Sequence, residues 1–186
     1  MVRMDVMMSD KRLSNLNQEV SRDYLLEILD YCPNSGILRW KSKLSRTGDA
    51  STAGWKHNKG YIAIGINCKN YLAHRVIWCI VYGYWPKHLI DHADGNKSNN
   101  SLINLRKASS NQNAQNAKLR KDSTSNVKGV SWLCGRNKWV ARVQSNGMRK
   151  TIGYFSNLED AETAVKAYRA LIHNDFANNG ENLDQA

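Results

Sequence analysis

A chain of 186 residues with 41% hydrophobic content holds one ordinary domain or two small ones. Its 27 Lys and Arg against 16 Asp and Glu give a net charge of +11, which favours a polyanionic partner through steering and counterion release. Cys32, Cys68, Cys79 and Cys134 form no closely spaced pair, which argues against a zinc ribbon or a disulfide framework and leaves reduced, buried thiols as the expectation. No secretory signal is visible, and the most apolar run, residues 76–84, is too short to span a membrane, so a cytoplasmic protein without a membrane partner is expected.

Residues 1–20 are polar and weakly patterned and read as a flexible leader, with the start open between Met1 and Met8. Ser21 can cap a short helix whose Leu25, Leu26, Ile28 and Leu29 form one apolar face, ending before Cys32-Pro33. Residues 36–40 and 60–66 read as strands, 67–70 as a turn, and 73–83 as a buried helix. His74, at the start of that helix, is either a hydrogen-bonded core histidine or a support for a phosphate site.

The most informative stretch is residues 89–116, LIDHADGNKSNNSLINLRKASSNQNAQN. Leu89-Ile90 lead into Asp91 and His92 on a strand, and a turn-rich loop from Asp94 to Ser101 follows. Residues 104–108 give a second strand. Ser109 or Ser110 caps a helix to about Lys118, with Asn113 and Asn116 three apart on one face. Phosphodiester hydrolysis needs an activated water, a Lewis acid and groups that hold both in line. His92 can take a proton from water, while Asp91 and Asn113 offer the sparse hard-oxygen donors that suit magnesium. Asn116 is the alternative ligand. A calcium loop fails, because Gly95 in the sixth place would put Ile90 first and Ser101 twelfth, where carboxylates are needed.

This pattern resembles the HNH endonucleases, the ββα-metal or His-Me finger enzymes of phages and mobile introns. Their Asp-His pair, the Asn of an "NLR" strand and a helix Asn correspond to Asp91, His92, Asn104 and Asn113. YCPNSGILRWK, GYIAIGI and AHRVIW extend the likeness upstream, to residues 24–118 in all. The resemblance implies that His92 is the general base, that Asn104 orients it across the hairpin, and that Asp91 and Asn113 hold Mg2+, with Mn2+ as a substitute. No structural zinc is expected, although some relatives carry zinc-binding Cys pairs.

A polar segment, residues 121–126, reads as a linker to a second unit of three strands, at 127–133, 138–144 and 149–155, followed by a helix from 157 to 174. Ala161, Ala164, Val165, Tyr168 and Leu171 fall at helical spacing, and alternation turns Trp139, Ala141 and Val143 toward them. Trp132 and Trp139 are expected in the core. GVSW, KWVARV, IGYF and EDAETAVKAY resemble the apetala/ethylene-response-factor DNA-binding domain, whose sheet lies in the major groove. That resemblance implies DNA contacts from Lys128, Ser131, Arg142, Gln144, Arg149 and Thr151. Ser131 and Thr151 depart from the plant pattern, so base preference does not carry over.

The resulting expectation is an α+β protein: leader 1–20, HNH module 21–120, linker 121–126, a small three-stranded antiparallel sheet packed on one helix over 127–180, and tail 181–186. It would act as a monomeric, metal-dependent, homing-type endonuclease on double-stranded DNA, the second unit selecting the site. The rival is a DNA-binding regulator with a non-cleaving HNH fold. An RNA-binding protein, which would prefer single strands, rests on charge and aromatic content alone.

Overall fold

The computed structural model describes residues 20–41, 52–119 and 122–180; the expected tail and, apart from Val20, the expected leader lie outside the described residues, as does Lys121 of the expected linker. The chain is mixed α and β, with small antiparallel sheets and two separate hydrophobic clusters.

The first cluster is built around helices α1 (Arg22–Ile28) and α2 (Ala73–Tyr82). Ser21 caps α1 by accepting from the Tyr24 amide at 3.3 Å. The helix stops at Ile28, short of the expected end before Cys32-Pro33. Leu29 turns extended and opens β1 (Leu29–Cys32), which pairs with β2 (Ile37–Trp40), so sheet pairing overrides the local helical pattern. Strands β3 (Trp55–Lys56), β4 (Ile62–Ile66) and β5 (Lys69–Leu72) form a second sheet. α2 is apolar on nearly every face, as a central helix must be, and buries Val76, Ile77 and Cys79 against Leu25, Leu29 and Ile64.

Strands β6 (Leu89–His92) and β7 (Leu105–Ala108) pair antiparallel, with Asp91 opposite Arg106 and His92 opposite Leu105. A single 3-10 turn, Leu102–Asn104, precedes β7. Helix α3 (Ser110–Gln115) begins with a reciprocal cap, Ser109 accepting from the Gln112 amide while the Gln112 side chain accepts from the Ser109 amide. It ends at Gln115, short of the expected Lys118. Strand, loop, strand and helix are thus present in the expected order.

In the second cluster, β8 (Val130–Leu133), β9 (Lys138–Ser145) and β10 (Met148–Phe155) form an antiparallel sheet with β9 central. Helix α4 (Leu158–His173) covers one face, packing Ala161 and Val165 on Ala141 and Val143. Leu171, expected in this contact, is 73% exposed; Arg169 and His173 continue the buried stripe at i+4 spacing from Val165 instead. Trp132 is half-exposed on an edge strand and meets Trp139 edge-on, so the core expectation fits Trp139 better. β8 starts three residues late because residues 125–129 form a tight entry. The Ser125 hydroxyl donates to Val127 O and Val130 O, and Gly129 holds a φ of +83° where a Cβ would lie 2.4 Å from Arg142 O. Of the four free cysteines only Cys79 is buried, which corrects the expectation for the other three.

Candidate functional site

Asp91 and His92 sit next to each other on β6, and both are buried. Strand alternation sends their side chains apart. Asp91 meets β7 and the end of α3: its Oδ2 accepts from Arg106 Nε at 3.0 Å and Nη2 at 2.9 Å, and Asn116 Nδ2 donates to Oδ1 and Oδ2 at 3.0 and 2.9 Å. Asn116 also donates to the carbonyl of His92 at 2.7 Å.

His92 turns toward the loop, where its Nε2 lies 3.1 Å from Asn100 Oδ1. An amide oxygen only accepts, so Nε2 carries the proton and Nδ1 is left as the acceptor. Burial pushes His92 below the ordinary histidine range, against the upward pull of Asn100, Asp94 and Asp91. Below the ring lies His74, buried and edge-on with centroids 5.1 Å apart; burial pushes it down to about 3. His74 Nδ1 has no hydrogen-bond partner among the described residues, so of the two readings the hydrogen-bonded core histidine does not fit, and the ring packs neutral against His92. Tyr61 completes the cluster, 5.4 Å from His74 and 5.9 Å from His92 between centroids.

Asn104 does not touch His92, which corrects its expected role. It closes the 3-10 turn, where the Ala93 amide donates to its carbonyl, and this aims its side chain into the 94–101 loop. There it donates to Asp94 Oδ1 and Asn99 O and accepts from the Asp94 amide, at 2.8 to 2.9 Å. Asn104 therefore braces the loop that carries Asn100, and Asn100 is what meets the ring. That loop is braced from outside by the β1–β2 turn. Tyr31 donates to Asn100 O, the Leu102 amide donates to Pro33 O, and a Cβ on Gly36 (φ +71°) would fall 2.2 Å from Ser101 N.

Asp91 and His92 open onto a concavity of about 330 Å³ that Tyr61, Lys97, Asn113 and Lys118 also line. Asn113 borders it with a side chain that makes no hydrogen bond among the described residues. Asn116, by contrast, is spent on Asp91 and His92. Among the described residues Asp91 Oδ1 accepts from Asn116 alone and keeps a lone pair, and the Asn113 amide oxygen accepts nothing; both residues line the concavity. That donor set fits a divalent cation that prefers oxygen and keeps several waters, such as magnesium. No group of three His, Cys, Asp or Glu is gathered among the described residues.

On the second sheet, register puts Thr151 opposite Arg142 and Arg149 opposite Gln144, on the face away from α4. Ser131, Arg142, Gln144 and Arg149 line a second concavity of about 310 Å³ that Gln115 of α3 also borders. Lys128 does not belong with them as a DNA contact. Its Nζ donates to Gln115 O at 2.8 Å, to Asn178 O at 2.9 Å and to Ala117 O, so all three ammonium protons are used inside the protein, and burial pushes its pKa down to about 8. Lys128, a DNA contact by resemblance and inside the strand expected over 127–133, lies before β8, which begins at Val130.

Sequence reasoning missed Asn100, Tyr61 and the clamp on Asp91. Only Arg106 left a signal: pairing LIDH against LRKA puts it directly across from Asp91. Among the described residues no helix is long and apolar enough to cross a membrane.

A family model for HNH endonucleases matches residues 71–115, which include Asp91, His92, Asn104 and Asn113. Protein 3.8 of Escherichia phage T7 is 36% identical over 105 residues, 56% of this chain and 86% of that protein. The HNH endonuclease L560 of Acanthamoeba polyphaga mimivirus is 32% identical over 119 residues, 63% of this chain and 59% of that protein. Among solved structures, the HNH homing endonuclease I-HmuI, described in DNA binding and cleavage, is similar at 26% identity and a TM-score of 0.37, covering 48% of this chain and 51% of that one.

Proposed function

This chain belongs to the HNH endonuclease family, and we propose that it is a metal-dependent DNA endonuclease of homing type, cutting with residues 21–120 and choosing its site with residues 127–180. The observation that carries the reading is the buried Asp91-His92 pair beside one concavity, with the proton of His92 assigned to Nε2 by Asn100. Neutral His92 takes a proton from water through Nδ1 as the water oxygen bonds to phosphorus and one phosphorus–oxygen ester bond breaks; the leaving oxygen takes its proton from solvent. Asp91 Oδ1 and the Asn113 amide oxygen would hold Mg2+, or Mn2+ in its place. That cation supplies charge stabilisation at the phosphate when bound.

Lys97 and Lys118 beside the site suit contact with the flanking phosphates. The sheet face of Ser131, Arg142, Gln144, Arg149 and Thr151 is read as the targeting surface, in the manner of an apetala/ethylene-response-factor domain, acting in a monomer on double-stranded DNA. α3 borders both concavities, so a duplex crossing one can continue over the other.

One observation favours the rival, a DNA-binding regulator that does not cut: Arg106 and Asn116 already grip Asp91. Digesting phage and host genomes with purified protein and magnesium, with chelator and His92→Ala as controls, decides between them. Discrete ends that need both metal and His92 are expected. Tight duplex binding without any cut would establish the regulator.

A further inference from the structure

The two units meet at the end of α3 through polar contacts. After α4 the chain makes one 3-10 turn, Asn174–Phe176, and returns to the β6–β7 hairpin. Asn178 donates its side-chain amide to Asn116 O at 3.0 Å and to Asn116 Oδ1 at 3.1 Å. Its own carbonyl is held by Lys128 Nζ. On the opposite side of Asp91, Arg106 donates Nη1 to the carbonyl of Asp175, and its guanidinium lies 3.8 Å from the centroid of the Phe176 ring. Each of the two side chains that grip Asp91 is therefore gripped in turn by residues 175–178.

These second contacts have a directional effect that packing alone does not have. A primary amide can turn either end toward Asp91, and only the NH2 end binds a carboxylate. Asn178 donates to Asn116 Oδ1, so it holds the oxygen away and turns the NH2 toward Asp91. Arg106 is a long, part-exposed side chain with several solvent-reaching rotamers, and the Asp175 carbonyl and Phe176 ring select the one that reaches Asp91 Oδ2. Partners of this kind fix the orientation of a metal-binding carboxylate.

We propose that residues 175–178 are the positioning element of the nuclease site: Asn178 acting on Asn116, and Asp175 with Phe176 acting on Arg106, hold the Asp91 carboxylate in its cation-binding pose. The inference rests on Asp91 being a metal ligand. It makes cation affinity depend on how the C-terminal unit is docked, so a unit shifted on DNA would be felt at Asp91.

The test uses the full chain without DNA, titrated with Mn2+ by calorimetry, alongside thermal melting and the NMR signals of the Asn116 side-chain amide. Asn178→Ala should weaken Mn2+ binding roughly 10-fold and move the Asn116 signals in metal-free protein. Asn178→Asp, which keeps the shape and removes the donor, should do the same, whereas a purely space-filling role would leave it like the wild type. Phe176→Leu, which keeps apolar packing and loses the ring face, should weaken binding several-fold and serves if either Asn178 variant fails to melt cooperatively. Mn2+ affinity within twofold of wild type in the folded variants would overturn the proposal. Asp91→Ala separates the two levels: if it binds Mn2+ normally, the ligand assignment itself falls, and if it loses Mn2+ while Asn178→Ala keeps it, only the positioning role falls.

Discussion

The two units treat their polar residues in opposite ways. Around the first site Asp91, His92, Asn100, Asn104 and Asn116 are all buried, and each is held by a named partner. On the second sheet Ser131, Gln144, Arg149 and Thr151 stand exposed. Polar groups are costly to bury, about 1–3 kcal/mol for each one left unpaired, so they are buried where a fixed proton or carboxylate position is needed. Exposed polar side chains keep their solvation, and single changes there move stability by about 0.5 kcal/mol or less. The contrast predicts that damage to the first site spreads into chemistry and fold, while damage to the second stays with binding.

The largest effect is expected from the Asp91-His92 pair. His92→Ala should slow cutting at least 100-fold, about 3 kcal/mol on the barrier, while duplex binding in a mobility shift stays within twofold. Cutting at the wild-type rate would remove His92 from the reaction. Next come two glycines that share a left-handed backbone and differ in what surrounds them. Gly36→Ala drives a methyl into the Ser101 backbone and should cost about 3 kcal/mol or more, whereas Gly147→Ala, at φ +77° with nothing within 4 Å, should cost about 1 kcal/mol. Equal urea midpoints for the two variants would show that the β1–β2 turn does not brace the loop.

Acid should separate the units less sharply. His74 is held near 3 and His92 below its ordinary range, while the unfolded chain binds both protons near 6.5. The neutral folded form of His74 favours folding fully above about pH 6.5, and that contribution is lost as pH falls toward 3, by up to about 1.4 kcal/mol per pH unit; His92 acts in the same direction. His74→Phe should flatten the fall in melting temperature between pH 6.5 and 5; an unchanged slope would mean that His74 is not buried neutral. The smallest effect on the fold is expected at the sheet. Arg149→Ala should leave the melting temperature unchanged and lower the log-log salt slope of duplex binding by about 0.9, the share of one phosphate contact. A slope identical to wild type takes Arg149 off the DNA.

Local pattern made much of this legible. Period-two alternation identified the faces of β9, residues 73–83 read as the buried helix α2, helical spacing found most of the α4 stripe, and turn chemistry with a Ser cap marked the hairpin and the start of α3. The Asp91-His92 pair was readable because both residues are neighbours in the chain. What stayed hidden depends on distant partners. Asn100 sits among many loop asparagines, and only the Tyr31 and Gly36 contacts, more than 60 positions away, show why it is the one that meets His92. Lys128 looked like one more basic residue near a strand, and its three carbonyl acceptors come from residues 115, 117 and 178. Asn104 was placed correctly in the hairpin and misread in its contact, because spacing fixes where a side chain starts and the loop fixes where it ends.

The return of residues 175–178 to Asn116 and Arg106 also has a consequence in the order of synthesis. Asn178 is added 62 residues after Asn116, and Asp175 69 residues after Arg106. Translation at about 5–20 residues per second leaves an interval of several seconds during which the hairpin has left the ribosome and its outer clasp has not. Throughout that interval the nascent chain carries Asp91 and His92 without the residues that hold Arg106 and Asn116 from behind. The clasp arrives only after the whole second sheet has been made, so a chain that stops early lacks both at once.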